Sequence, residues 1–358
     1  MPGNPNVTPK TRRPEPKRRA TDTSVRAEVT LEMVAREAGV SPSTVSRILN
    51  GTAQVRDSKV QAVQAAISKL QFIPNPVARS LAGGRSMSVG VVIQSIDSPF
   101  YVEALAAMEK SLFRANYSAV FVSGHWRPDD ERRCINHLLS RRVDGIILMT
   151  SCLPDQELVQ LSRSTPLVLT GRKLASARAC SLDVDSTPGA RLATEYLIGQ
   201  GHQRIAFITG PSDHPDAVQR FGGYKAGLAA HRIPFTARLV AEGNYTDAGG
   251  YAAINQLLDA GAKFSAVFAA NDQTASGALL ALHRRGVRIP QDVSVVGFDD
   301  IPSSSFTIPP LTTVHRSTSE IGASAADAML ELIDGRTPVP TLAAATLAIR
   351  ESTRPWSE

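Results

Sequence analysis

Cysteine is scarce in this chain: Cys134, Cys152 and Cys180 are the only three in 358 residues, and none forms a CxxC pair. An odd count without paired spacing argues against a disulfide framework or a zinc ribbon and fits a reducing cytoplasm. Long apolar runs are also lacking, and no stretch approaches the roughly 20 residues of a membrane-spanning helix. The basic residues among positions 1–20 are not followed by an apolar segment, so no secretory signal peptide is expected. Signatures of catalysis are missing as well. There is no phosphate-binding GxxxxGK loop, no HExxH and no GxSxG, and the seven histidines are scattered. No catalytic residue, metal site or cofactor is therefore expected. What remains is 42% hydrophobic and 20% charged, with ordinary glycine and proline usage. That composition describes a soluble globular protein long enough for two or three domains of about 100–200 residues.

Charge divides the chain unevenly. Residues 1–88 hold 14 Lys and Arg against 6 Asp and Glu, while residues 89–358 hold 25 against 27. A basic head on a nearly neutral body either meets a polyanion or simply keeps the N-terminus solvated. Residues 1–28, rich in Pro, Thr, Lys and Arg and without apolar periodicity, read as a disordered arm. Its basic residues either graze DNA phosphates or form a passive tail.

From Val29 the pattern turns helical. Leu31, Val34, Ala35 and Ala38 share one face, Gly39 permits a sharp turn, and Ser41 with Pro42 opens a second helix carrying Val45, Ile48 and Leu49. A third helix is expected from about Asp57 to Leu70, with Val60, Val63, Ile67 and Leu70 inward. Helix, short turn, helix and brace is the helix-turn-helix layout. If the second helix enters a major groove by its N-terminal end, it presents Pro42, Ser43 and Arg47 to base edges. Arg47 suits a bidentate guanine contact, and the hydroxyls of Thr44 and Ser46 suit phosphates.

Beyond Ser88 the rhythm becomes strand, then helix. Short β-branched runs at Val89–Gln94, Ser118–Gly124, Asp144–Met149 and Pro166–Gly171 form one series. Arg204–Gly210, Ser265–Asn271 and Asp292–Asp300 form a second. Apolar strands alternating with helices imply parallel sheets covered on both faces. Some 270 residues of this exceed one comfortable core, so two α/β lobes with a ligand cleft between them are expected.

The segment VTLEMVAREAGVSPSTVSRILNG (Val29–Gly51) resembles the DNA-binding headpiece of the lactose-repressor/galactose-repressor (LacI/GalR) family of bacterial transcriptional regulators. The likeness continues through FIPNPVARSLAGGRS (Phe72–Ser86), similar to that family's hinge, and across the body to IRESTRP, covering roughly Val29–Pro355. It implies a helix-turn-helix headpiece over 29–74, a hinge helix and linker over 75–88, and an effector-binding and dimerisation body over 89–358 with a two-lobed, periplasmic-binding-protein-like fold. DNA contacts are implied for Thr30, Ser41, Pro42, Ser43, Thr44, Ser46, Arg47 and Asn50, and in the hinge for Asn75, Arg79 and Leu81. Leu81 would be a minor-groove wedge or else an ordinary packing leucine, and Arg79 either meets phosphate or faces solvent. A hinge of about a turn and a half is too short to be stable alone, so it would order only on DNA beside a second copy. Arg56 stands where the family commonly has a capping Ser or Thr; Asp57 would take over the cap, and Arg56 would add a phosphate contact instead.

In the body, AVQRFGG, ANDQTAS and VVGFDD carry the resemblance, and Arg220, Asn271 and Asp299 match polar effector contacts at strand ends or helix starts. Phe100 and Tyr101 either stack on a sugar face or belong to the core. Tyr245 falls where an aromatic is common, and Asp185 matches an Asp-Asn pair in which Ser186 replaces the amide. The resemblance implies a repressor that acts as a cytoplasmic homodimer on a near-palindromic operator under the control of a small molecule, most often a sugar. A nucleobase or nucleoside corepressor is the alternative. A sugar-binding protein without regulatory function would need an export signal and no helix-turn-helix, the reverse of what is present.

Overall fold

The computed structural model describes residues 29–49, 55–72, 84–182 and 184–357. They belong to two units divided after Arg79. The arm at 1–28, Asn50, and the expected hinge helix with Asn75, Arg79 and Leu81 lie outside the described residues.

The first unit contains α1 (Leu31–Glu37), α2 (Pro42–Leu49) and α3 (Asp57–Leu70). Val34, Ala35, Val45, Val63, Ala66 and Phe72 form its buried core, with Leu31, Ile48, Leu49, Ile67 and Leu70 packed around them. Gly39 turns between α1 and α2 at φ +64°, a left-handed conformation that costs glycine little. An exposed ion pair, Lys69 Nζ to Glu37 Oε1 at 2.7 Å, links α3 to α1. The cap expected from Asp57 is not made. Arg56 occupies the N-cap with no side-chain hydrogen bond, and Asp57 is the first helical residue, where its charge faces the helix dipole instead.

The second unit is built from two parallel sheets. In chain order it runs β1 (Ser88–Ile93), α4 (Pro99–Arg114), β2 (Ser118–Ser123), α5 (Pro128–Ser140), β3 (Gly145–Met149), α6 (Asp155–Ser164), β4 (Leu167–Thr170) and β5 (Ala179–Leu182). Then come α7 (Thr187–Gly199), β6 (Ile205–Thr209), α8 (Pro215–Ala230), β7 (Val240–Glu242), α9 (Asp247–Asp259), β8 (Ala266–Ala269) and α10 (Asp272–Arg284). Finally β9 (Ser294–Asp299), β10 (Thr312–His315), α11 (Thr318–Ile333) and β11 (Thr346–Ala348) complete it. The first sheet has the order β2-β1-β3-β4-β5 and the second β11-β10-β9-β8-β6-β7. Every pairing is parallel except β10 with β11.

Strand alternation decides which residues meet which helices. Val89, Val91 and Ile93 of β1 face α4 and α11, where Tyr101, Ala104, Met108, Ala325 and Met329 close the core. Val92 faces α5 and α6 with Ile135, Leu138 and Leu158. Gly322 lets α11 press onto α4, since a Cβ there would stand 2.0 Å from the Ala104 carbonyl oxygen. The second sheet is sandwiched likewise between α7 with α8 and α9 with α10. Three segments cross between the lobes: after β5, between β10 and α11, and between α11 and β11. Helix α11 thus leaves the second lobe to complete the first. At the end of the expected linker, Ser86 and Met87 donate backbone N–H groups to Asp144 at 2.7 and 2.9 Å, and Arg85 pairs with Asp334 at 3.0 Å.

Candidate nucleic-acid interface and ligand cleft

Helix α2 has two chemically distinct faces. Val45 is fully buried, while Ser41, Pro42, Ser43 and Arg47 are exposed and Thr44 and Ser46 are half-buried. Ser41 Oγ accepts the Thr44 N–H at 3.2 Å and shares hydroxyl hydrogen bonds with Ser43 at 2.9 Å and Thr44 at 2.8 Å. That cap gathers three hydroxyls at a helix N-terminus, where the dipole favours an anionic oxygen. Arg47 sits one turn further along the same helix, with no ion-pair partner among the described residues. Thr30, also exposed, caps α1 by accepting the Met33 N–H at 3.4 Å.

In the second unit the carboxyl ends of the parallel strands converge on a cavity of about 260 Å³ between the lobes, where open α/β sheets place ligands. The first lobe contributes Phe100 and Tyr101 at the start of α4, Trp126 after β2 and Thr150 after β3. The second contributes His214 and Asp216 around the start of α8, Arg220 within it, Tyr245 after β7, Asn271 after β8 and Asp299 at the end of β9. Rings meet across the opening: Trp126 and His214 have centroids 4.2 Å apart, and Tyr245 sits edge-on to His214 at 5.1 Å. Ser98 Oγ also reaches Gln273 Oε1 of the other lobe at 3.4 Å.

Arg220 organises the second lobe's wall. It lies in the second turn of α8, away from the strand end or helix start expected for it, and is 3% exposed. Its guanidinium donates to Asp299 Oδ1 at 2.8 Å and to the Ala270 carbonyl, and it lies over the Phe298 ring with 3.9 Å to the centroid. Burial opposes the guanidinium's charge, and its neighbours Asp299, Tyr245 and Asp216 together more than restore it, Asp299 most. Asp299 itself is buried at φ +103°, a conformation rare for a side-chain-bearing residue and characteristic of functional sites. Burial raises its carboxyl above the usual range, and Arg220 and Arg316 pull the other way. Asn271 caps α10, its Oδ1 accepting the Thr274 N–H at 2.9 Å and its Nδ2 donating to the Tyr245 carbonyl at 3.1 Å. One N–H and one lone pair of that amide remain for a ligand. Two further polar atoms on this wall, Arg220 Nε and the Tyr245 hydroxyl, are buried without a partner.

Phe100 and Tyr101 are both wall and core: they line the cavity while packing into the first lobe's interior. Asp185 is not brought to this cavity. It is exposed on the crossover after β5, accepts the Thr187 N–H at 2.8 Å, and borders a separate cavity with Glu320 and Leu342. The neighbouring serine has a clear use, since Ser186 Oγ accepts a hydrogen bond at 2.6 Å from Arg316, whose guanidinium is buried on the next crossover.

Other participants carry no sequence signature. Gln94, fully buried, accepts the Trp126 backbone N–H at 3.1 Å and donates to the Thr150 carbonyl at 2.8 Å. Asp272 receives the Ile301 N–H at 2.9 Å and the hydroxyls of Ser304 and Thr313 at 2.6 Å each. Burial, together with the charge of Asp299, pushes its carboxyl up to about 7. Only the D of ANDQ, beside the N-cap, marked it. Among the described residues no cluster of His, Cys, Asp and Glu is placed to hold a metal, and no helix is long and apolar enough to cross a membrane.

Comparison with known proteins gives the same division. Residues 30–75 match the family model "Bacterial regulatory proteins, lacI family", and residues 86–352 match "Periplasmic binding proteins and sugar binding domain of LacI family". The chain is 35% identical over 306 residues to the ribose operon repressor of Escherichia coli K12, covering 85% of this chain and 93% of that one. It superposes on the lac repressor dimer bound to operator and the anti-inducer ONPF with a TM-score of 0.79 and 31% identity, over 91% of this chain and 99% of that one. On a transcriptional regulator CelR–cellobiose complex the TM-score is 0.68 at 34% identity, over 90% and 99% of the two chains. The exposed hydroxyl-and-arginine face of α2, the two-lobed body and these matches together place the chain in the LacI family of DNA-binding transcriptional regulators, not among enzymes.

Proposed function

We propose that this regulator is a cytoplasmic repressor that binds a near-palindromic operator as a homodimer and is controlled by a sugar held between its lobes. The observation that carries the reading is the cavity itself. Phe100, Tyr101, Trp126 and Tyr245 offer surfaces for the apolar faces of a sugar ring, and Asp299, Asn271 and the unpartnered donors of Arg220 and Tyr245 offer contacts for hydroxyls. A ligand that touches both walls would shift the angle between lobes that three crossovers and their cleft contacts join among the described residues. That shift is the differential contact an allosteric effector needs. Dimerisation is supported by Phe306 and Ile308, 84% and 94% exposed in the segment after β9. In each headpiece α2 enters a major groove, Arg47 reads guanine, and Ser43, Thr44 and Ser46 hold the phosphates.

The test is selection of sites from a random duplex pool by the purified protein, repeated with sugars and with nucleosides. A palindromic site whose occupancy changes with one sugar is the expected result. A response to a nucleoside alone would move the effector to the nucleobase class, for which the ring-lined walls are also suited. No enriched site at moderate salt would refute the operator reading.

A further inference from the structure

We propose that Asp216 is the carboxylate that reads the effector, and that it restricts the cleft to uncharged, hydroxyl-rich sugars while rejecting their phosphate esters and other anions. The inference rests on the sugar reading above and sharpens it. The cavity is lined by three carboxylates, Asp97, Asp216 and Asp299, and by one guanidinium, Arg220. That guanidinium is already committed to Asp299 at 2.8 Å. Asp97 receives the Ser95 hydroxyl. Asp216 is different. Its backbone N–H is fixed by His214 Nδ1 at 3.1 Å, which sets the residue in the first turn of α8, yet among the described residues no donor reaches its carboxylate.

The carboxylate is half-buried and faces the other lobe. A Cβ built on Gly171, at the end of β4, would lie 3.9 Å from Asp216 Oδ1 and 3.8 Å from Thr150 Oγ1. Arg220 and Arg316 both feel its charge, but neither donates to it: Arg220 is turned to Asp299 and the Ala270 carbonyl, and Arg316 to Ser186. Burial holds His214 below its ordinary pKa and hence neutral, and Arg316 lies behind the wall, outside the cavity lining. A carboxylate with two oxygens and no donor in a partly desolvated cleft is satisfied by hydroxyl groups, which adjacent positions of a sugar ring supply in pairs. A phosphate ester would instead bring its charge against Asp97 and Asp216, with the lining guanidinium paired to Asp299 and only its Nε left to donate, a like-charge encounter that disfavours wrong ligands.

The experiment uses the full chain and its tryptophan emission, since Trp126 lines the cleft. D-ribose, D-glucose and cellobiose are titrated beside ribose 5-phosphate and glucose 6-phosphate. At least one neutral sugar should bind tenfold or more tightly than any phosphate ester. Asp216→Asn should weaken that sugar about tenfold, equivalent to about 1.4 kcal/mol, and narrow its advantage over the ester. Asp216→Glu, which keeps the charge, should still reject the esters, and melting curves confirm that both variants fold. Equal or tighter binding of an ester, or an unchanged ratio in Asp216→Asn, overturns the inference alone. Silence toward every neutral sugar overturns the sugar reading and the inference with it.

Discussion

Replacing Arg220 by methionine fills most of the same volume but removes the only charge directly paired with Asp299. The two side chains are 3% and 4% exposed, so neither can turn to solvent when its partner is lost. Charge centres about 4 Å apart attract by about 4 kcal/mol at the effective dielectric that describes real proteins. Removing one member of such a buried pair costs about 3–5 kcal/mol, because the other stays buried and uncompensated. Arg316, which also favours the ionised Asp299, should bring the loss toward the lower end. Restoring neutrality with the double variant Arg220→Met/Asp299→Leu should recover part of the loss and leave a non-additive term of about 1–3 kcal/mol. The pH dependence has a definite sign. Without Arg220 the Asp299 carboxyl rises further above its unfolded value, so the stability it contributes is present at low pH and lost as pH rises through the folded pKa. The variant should therefore be less destabilised at pH 5 than at pH 8. Trp126 and Trp356 are the only tryptophans and both lie in the two-lobed body, so urea unfolding followed by tryptophan emission reports on that body. A loss below about 1 kcal/mol, or a pH-independent one, would contradict the buried-pair argument.

Arg47→Ala should remove specific operator binding while leaving effector binding intact, with about 1–3 kcal/mol of base discrimination lost at each recognition helix; retained selectivity in competition against random duplex would refute its place on α2. Val45→Ala, beneath that helix, should destabilise the headpiece by about 2 kcal/mol from lost burial and an unfilled cavity, seen as faster amide exchange in α1–α3 with the body unaffected. His202 is buried between the hydroxyls of Ser265 and Ser294, at 2.9 and 3.1 Å, and the Arg354 carbonyl at 3.2 Å, and burial holds its pKa below the ordinary value. The stability contributed by this neutral ring is present above pH 6.5 and lost as pH falls through the lower folded pKa. Melting temperature should fall less between pH 7.5 and pH 5 in His202→Gln than in the parent, and an equal fall in both would exclude His202 as the sensor.

Residues whose role follows from local pattern were legible in the sequence. Ser41 and Pro42 announced the start of α2, and Val89–Gln94 and Arg204–Gly210 announced their strands. Strand β10 escaped notice because Thr312 and Thr313 look polar. Both are fully buried, and their hydroxyls meet Thr353 and Asp272, partners that only the fold supplies. The cleft divided in the same way. Arg220, Asn271 and Asp299 sit in recognisable motifs, whereas Trp126, His214 and Asp216 acquire significance only when two lobes bring them face to face. Asp185 shows the converse: a familiar dipeptide suggested a place near the ligand, whereas in this structure the crossover turns its carboxylate to an N–H two residues on.

The excursion of α11 has a consequence for how the chain must be made. The first lobe's sheet is finished at Leu182, yet Ile321, Ala325, Ala326 and Met329, which cover one of its faces, emerge only with the helix that starts at Thr318. At synthesis rates of about 5–20 residues per second, the roughly 135 intervening residues leave that face covered by α4 alone for about 7–27 s. Apolar surface left exposed during synthesis is the general hazard for aggregation, and here it persists while the second lobe is being made. A ribosome stalled anywhere before residue 318 would hold a half-covered sheet, so for this body release of the C-terminal segment is a folding step in its own right.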